Sequence, residues 1–479
     1  MKKLKASMSI DRIYSNMEKS MKRVFFSILF LSCLIIPISL FAFPSVFPHG
    51  TTLYKPDKAY SGYTIFSVDN FGTFLIDMNG NVVHQWKNVG TVDHPAKLLP
   101  GGHIMGSTGN TGRLVGDEGS SDLAIADWND AITWRFPRAG MHHDFQREGN
   151  PVGYYAPGLE PNLSGGKTLI LSNKIVNQKK VSDKPLLDDI IYIVDEGGKI
   201  TWQWLASDHI EEMGFSIEAR NTMYRYPNYV MSRTPGKVGG DWIHINTASW
   251  LGPNKWYDAG DKRFHPDNII YDGRQTNTTG IVDHETGEIV WHMGPDFEST
   301  KELRKIGATV GLHHAHMIPK GLPGEGNLLI FDNGGFAGFG APNPTAPYGI
   351  NNARREYSRV IEIDPVAMEI VWEYNANKSG YRDTYKFFSD YVSSAQRLPN
   401  GNTLIDEGAL GRLFEVTPDG EIVWEYISPY YQEKENYNMV YRAYRVPYDY
   451  VPQLKAPKEK AVIPPDNAVL RVKDLKTSK

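Results

Sequence analysis

Ile281-Val282-Asp283-His284-Glu285-Thr286-Gly287-Glu288-Ile289-Val290-Trp291 reads as two short strands joined by a tight turn. An apolar pair and an acid end the first strand, Thr286-Gly287 makes the turn, and an alternating run closing on Trp makes the second. The same grammar recurs five times more. The copies run from Leu75-Ile76-Asp77 to Trp86, Ile125-Ala126-Asp127 to Trp134, and Ile193-Val194-Asp195 to Trp202. Two more run from Ile361-Glu362-Ile363-Asp364 to Trp372 and from Glu415-Val416-Thr417 to Trp424. Asn79-Gly80, Gly197-Gly198 and Asp419-Gly420 occupy the turns. Gly, Asn and Asp suit tight hairpins because they tolerate positive φ.

A second hairpin signal falls between these cassettes, at Leu99-Pro100-Gly101, Ile318-Pro319-Lys320-Gly321 and Leu398-Pro399-Asn400-Gly401. Two hairpins per repeat give four antiparallel strands, one blade of a β-propeller. Six cassettes therefore predict an all-β, six-bladed propeller over residues 44–454. Unequal spacing between cassettes implies insertions, of which 251–268 is one. Residues 299–305 are the one place where a helical turn is expected.

The flanks read differently. Met21-Lys22-Arg23 is a basic start, and 24–40 is an apolar run of signal-peptide length. Residues 1–43 are expected to be a signal peptide, or an N-terminal anchor if uncleaved, with Met1 or Met21 as the start. That predicts a periplasmic or otherwise exported protein, membrane-anchored if the leader stays. Residues 455–479 are rich in Lys and Pro without periodicity and are expected to be an exposed or strapping tail. The single cysteine, Cys33, lies in the leader, so no disulfide can form within the chain. A net charge of −4 with no basic stripe excludes a nucleic-acid partner. Nothing in the repeat specifies an oligomer.

Candidate chemistry follows from the register. The first strand of a blade lines the central channel. His94, His313 and Ser393 lie at equal offsets before Pro100, Pro319 and Pro399. Met141-His142-His143-Asp144-Phe145 and Asp241-Trp242-Ile243-His244-Ile245-Asn246 look like the same strand of other blades. Convergence of imidazoles on one axis has two chemical readings, a metal site and covalent catalysis on a ring nitrogen. Adjacent strand residues point to opposite faces, so His313 and His314 are not expected to share the channel. With Cys absent and carboxylates few near the cluster, no metal is expected. The acids Asp258, Asp261 and Asp267 lack the glycine and terminal glutamate of a calcium loop and read as a solvated loop.

The stretch 141–154, Asp241-Trp242-Ile243-His244-Ile245-Asn246, Asp272-Gly273-Arg274, His313-His314-Ala315 with Phe331-Asp332-Asn333-Gly334, and Tyr357-Ser358-Arg359 resemble the signature of bacterial aryl sulfotransferases. The resemblance spans about residues 47–449. It implies a six-bladed propeller that moves a sulfuryl group from an aryl sulfate ester to a phenol. The implied route is ping-pong, through a sulfohistidine, with no nucleotide sulfate donor and no cofactor. It implies His313 as nucleophile, with His314 as the alternative, and His143, His244 and Arg274 as supporting catalytic groups. Either His143 or His244 would be the acid/base, the other donating to sulfuryl oxygen. Asn246 and Ser393 would be substrate-binding positions. Tyr154, with Tyr155 beside it, is the nominated aromatic wall for the phenol. The periplasmic members also carry a sandwich domain and a disulfide, neither of which is expected here. A non-enzymatic exported propeller that binds a ligand, and a metal-dependent hydrolase using the His cluster, are the competing readings.

Overall fold

The computed structural model describes residues 48–68, 71–91, 94–108, 122–137, 141–227, 240–431 and 437–464. The expected leader, Cys33 and the end of the tail lie outside them. Among the described residues the strands form six antiparallel blades about one axis, with a separate two-stranded sheet, Ala337–Phe339 on Ile350–Ala353, in the insertion of blade 5. Blade 2 is Lys97–Leu99, His103–Thr108, Asp122–Ala126 and Ile132–Phe136. Blade 3 is Met141–Arg147, Thr168–Val176, Leu186–Val194 and Ile200–Leu205. Blade 4 is Ile245–Trp250, Ile269–Gly273, Thr278–Val282 and Ile289–Met293. Blade 5 is His313–Met317, Leu328–Asp332, Arg359–Asp364 and Glu369–Tyr374. Blade 6 is Ser394–Arg397, Thr403–Glu407, Arg412–Val416 and Ile422–Ile427.

Ring closure was not legible in the cassettes. Blade 1 takes its inner strand, Ala443–Val446, from the far end of the chain and completes it with Tyr63–Val68, Gly72–Ile76 and Val82–Trp86. Gly50–Tyr54 adds a fifth strand outside blade 6. The first described residues therefore close one blade and the last strand closes the next. Residues 455–464 strap the same seam: Val462 bridges Tyr54, and Glu459 accepts hydrogen bonds from Tyr448 and Ser61.

Each part of the cassette has a physical task. The acid caps its own turn: Asp77 Oδ1 accepts from the N–H groups of Asn79 and Asn81, and Asp364 Oδ1 from those of Val366 and Ala367. The Trp reaches the next blade, donating its indole N–H to a carbonyl in that blade's cassette turn. The pairs are Trp86 to Asp127 (3.0 Å), Trp134 to Glu196 (3.4 Å) and Trp204 to Gly287 (3.0 Å). Trp291 to Pro365 (2.9 Å), Trp372 to Pro418 (2.8 Å) and Trp424 to Met78 (2.8 Å) complete the circle. In blade 3 the clasping residue is Trp204 and not Trp202; it stands two residues further along the outer strand, as Trp86 does in blade 1.

The helical turn expected at 299–305 is a helix at Lys301–Ile306, capped by Thr300 Oγ1 accepting from Leu303 N–H. A longer helix, Ile217–Arg225, lies between blades 3 and 4 and was missed. Its signal is modest: a Ser216 cap, a glutamate in the first turn and an arginine in the last.

Candidate active site

The inner strands share one register. In four blades the backbone N–H that closes the first hairpin belongs to Glu148, Leu251, Ile318 and Leu398. Five residues before each stand His143, Asn246, His313 and Ser393. The pairings of Leu99 with His103 and of Val446 with Tyr63 put His94 and Tyr441 at the same level in blades 2 and 1. One ring position is thus filled by six side chains. Two residues further on, five blades carry alanine, at Ala96, Ala248, Ala315, Ala395 and Ala443. All five are buried, as expected where six strands converge and leave room only for small side chains.

His313 is 2% exposed. Its Nδ1 lies 2.8 Å from Asn333 Oδ1 and 3.1 Å from the Gly311 carbonyl. The Asn333 amide is oriented by its other end, since Nδ2 donates to the Ser389 carbonyl at 2.8 Å. Two acceptors therefore face Nδ1, which must carry the proton, and the lone pair rests on Nε2. Burial holds the imidazolium form of His313 well below its ordinary range, and the charges of Arg274 and Arg442 add to this. The Asn333 hydrogen bond only partly offsets them.

A carboxylate–imidazole–imidazole line lies beside it. Asp241 Oδ2 accepts from His244 Nδ1 at 2.7 Å, and His244 Nε2 is 3.0 Å from His143 Nε2. Nδ1 of His244 is thereby fixed as the protonated nitrogen, and the two Nε2 atoms share one proton. His143 is held well below its ordinary value by burial first, then by His244, His142, His94 and His313. Burial would raise Asp241, but His244, His142 and Arg274 outweigh it and keep the carboxyl low. The Arg274 backbone N–H donates to the His244 carbonyl at 3.0 Å, which ties the arginine to this line. Three of these residues or their neighbours sit in unusual backbone: His143 at φ 63°, His244 at φ 52° and His314 at φ 55°. Non-glycine residues with positive φ are uncommon and cluster at functional sites.

Below the ring lies a charged floor. Arg442, from the closing strand of blade 1, crosses the axis. It donates to the Asn246 carbonyl (2.7 Å) and Thr247 Oγ1 (2.9 Å) in blade 4 and pairs with Asp144 in blade 3 (3.0 Å). Lys97 of blade 2 clamps the other oxygen of Asp144 at 2.7 Å. Burial alone would raise Asp144, but the two cations keep it ionised. Burial lowers Lys97 to about 8.

The structure brings His143, His244, Arg274, Asn246 and His313 to the same end of the channel, and three expectations change. Ser393 is fully buried and donates its hydroxyl to Asn333 Oδ1 at 3.2 Å, so it steadies the orienting amide. His314 was expected on the opposite face. A bulge between His313 and His316 breaks the alternation and turns His314 into the next channel layer, beside His316 and Tyr444. Its Nδ1 accepts the Ala395 N–H at 3.3 Å, which leaves its neutral form no free lone pair for attack. Tyr154 belongs to the core and not to the mouth. Its hydroxyl lies 2.9 Å from His316 Nε2, whose ring is oriented by Nδ1 donating to the His314 carbonyl. Tyr155 packs against Tyr450. Asn333, Asp241, Tyr441 and Arg442 were missed as site residues. Tyr441 and Arg442 could have been found from Val446-Pro447, which repeats the Leu-Pro turn of the other blades.

These features define a propeller whose axis carries a buried, neutral imidazole with one oriented lone pair, flanked by an arginine and a proton-sharing histidine pair. The chain belongs to the arylsulfotransferase (ASST) family, whose pattern it matches over residues 160–444. It is a sulfotransferase of that family, which implies small aryl sulfates and phenols as substrates. No curated protein matches the sequence. Among solved structures, the chain is similar to a protein of unknown function from Bacteroides caccae, with TM-score 0.41, 10% identity, and 81% of this chain and 99% of that one covered. It is also similar to apo AztD from Citrobacter koseri, with TM-score 0.34, 9% identity, and 81% and 98% covered. Virginiamycin B lyase from Staphylococcus aureus gives TM-score 0.29, 11% identity, and 79% and 87% covered.

Proposed function

We propose that this protein transfers a sulfuryl group from an aryl sulfate ester to a phenol in two half-reactions, through a sulfo group on Nε2 of His313. The observation that carries the reading is the tautomer of His313: Nδ1 faces two acceptors, so Nε2 presents its lone pair. In the first half-reaction the Nε2–S bond forms and the bond from sulfur to the aryl oxygen breaks. The leaving oxygen takes the electron pair and then the proton shared by His143 and His244. Arg274 offers its fork of donors to the sulfuryl oxygens, where charge gathers in a loose transition state. In the second half-reaction an acceptor phenol returns a proton to the histidine pair and attacks sulfur. The N–S bond then breaks. The proton that Asn333 retains on Nδ1 makes the sulfo-imidazole cationic and so a good leaving group.

This reading needs no nucleotide sulfate and no metal. Its cellular setting is proposed to be outside the inner membrane, on the strength of the basic and apolar character of residues 21–40. The test is intact mass after exposure to a chromogenic aryl sulfate without acceptor. Wild type is expected to gain one sulfuryl group and to lose it on adding a phenol, while His313→Ala gains none. Equal labelling of both proteins overturns the assignment.

A further inference from the structure

The long insertion in blade 4 supplies a second cluster that the reaction does not use. Its acids have separate fates. Asp258 pairs with Lys320 at 2.9 Å, and Asp261 pairs with Arg263 at 2.6 Å while capping the Arg263 N–H. Both are thus already partnered. Asp267 instead stands with two imidazoles. One is His265, two residues before it, and the other is His284, in the outer hairpin turn of the same blade. One donor atom from each of the three lies within 4.8 Å of the others.

The second imidazole is prepared for such a role. His284 Nδ1 lies 3.0 Å from Asn268 Oδ1, and the fully buried Asn268 is oriented by Nδ2 donating to the Arg263 carbonyl at 3.0 Å. Nδ1 must therefore donate, which leaves the lone pair of His284 on Nε2. A histidine whose inner nitrogen is tied to an oxygen acceptor is the usual form of a metal ligand. The His265 and His284 rings stack at 4.4 Å and 18°. Both rings are partly exposed and can turn toward a shared ion. His265 would exchange the long 3.2 Å bond that its Nδ1 accepts from the Asp267 N–H.

We propose that His265, Asp267 and His284 form a binding site for a divalent transition-metal ion of the zinc class, which clips the 251–268 insertion to the outer hairpin of blade 4. Two imidazoles and one carboxylate suit zinc, with ligand distances of about 2.0–2.2 Å and the remaining position left to water. The same set is poor for calcium, which takes oxygen ligands throughout. The site lies at the hairpin ends where the inner strand of blade 4 finishes, and the catalytic ring lies where that strand begins. Its role is therefore structural, and sulfuryl transfer is independent of it.

The test is zinc titration of the untagged full-length chain against a chromogenic chelator, with melting temperature as a second reading. One zinc per chain in the micromolar range or tighter is expected. His284→Gln and Asp267→Asn should each weaken binding by at least about tenfold. Zinc should raise the melting temperature of wild type, as any ligand of the folded state does, and fail to raise that of His284→Gln. His313→Ala separates this site from the channel imidazoles and should bind zinc as wild type does. Unchanged affinity in His284→Gln and Asp267→Asn, loss of binding in His313→Ala, or no uptake at about 100 µM zinc each overturns the proposal.

Discussion

The outer and inner edges of the six blades are made from the same repeat and have gone in opposite directions. At the outer edge, six tryptophans perform one act, each donating an indole N–H to the next blade's turn. At the inner edge, the equivalent position holds His94, His143, Asn246, His313, Ser393 and Tyr441. The outer edge must hold a ring together, and a ring is best served by identical joints. On the proposed function, the inner edge must distinguish a nucleophile from its supports at one sulfur atom, which identical residues around an axis cannot do. Symmetry survives where the repeat does mechanical work and is lost where it does chemistry.

The largest effect expected from breaking this contrast is at the inner edge. His313→Ala should lower sulfuryl transfer by about 10³-fold or more, while leaving the melting temperature close to wild type. Steady-state rates with a chromogenic aryl sulfate, read beside a thermal melt, check both halves. Asn333 tests the neighbour that orients the ring. Asn333→Ala frees the imidazole to rotate and to lose its tautomer, and a drop in kcat of about 10²-fold at little-changed KM is expected. Asn333→Asp is the more informative variant. A carboxylate facing Nδ1 favours the imidazolium form, so His313 would become protonated at a higher pH than in wild type. The acid limb of kcat should then move upward in pH, whereas a purely structural defect would lower the whole profile without moving it.

The same inner edge explains what the sequence revealed and what it hid. The cassettes disclosed the blades because their Trp, Asp and turn residues each do a local job that leaves a local mark. Equal offsets to Pro100, Pro319 and Pro399 disclosed His94, His313 and Ser393 because hairpin register is also local. His314 lies where strand alternation does not place it, because a bulge with His314 at φ 55° breaks the period and nothing in the residue types announces it. Asn333 acts on His313 from the neighbouring strand of the same blade, 20 residues on, and Arg442 acts across blades on Asp144 and Asn246. Contacts between distant segments leave no periodicity to read. The polar-x-Ala pattern that aligns five of the inner strands was present in the sequence, and it would have supplied Tyr441 had the closing strand been recognised.

The inner edge also sets the acid limit of the fold. Burial holds His94 and His316 at about 4, and His143, His313 and His314 are held well below their ordinary values. In the unfolded chain each returns to about 6.5. Between pH 6.5 and 4 these histidines therefore bind more protons in the unfolded state and lower stability as pH falls. Asp188 and Asp272, held up by burial at about 7, and Asp406, also raised, act the other way. Each such histidine contributes a slope of about 1.4 kcal/mol per pH unit. Denaturant midpoints measured at pH 7, 6, 5 and 4 read the sum of both, and a variant isolates one histidine. His94→Gln should lose less stability than wild type across the series, and equal slopes would mean that burial does not hold His94 neutral.

The smallest expected effects lie at the outer edge, and they decide whether its six joints are equal. Trp372→Phe removes one indole N–H at a partly exposed site, where water can replace it at the Pro418 carbonyl. A loss of about 0.5–1 kcal/mol is expected. Trp424→Phe removes the same bond, but at a fully buried residue whose acceptor, the Met78 carbonyl, belongs to the blade that the end of the chain completes. A buried acceptor left without its donor costs more, about 1–3 kcal/mol. Urea midpoints for the two variants give the comparison, and neither should alter kcat. If Trp424→Phe costs no more than Trp372→Phe, the seam is carried by its paired strands, Ala443–Val446 on Tyr63–Val68 and Gly50–Tyr54 on Ile422–Ile427, and the tryptophan there is one joint among six.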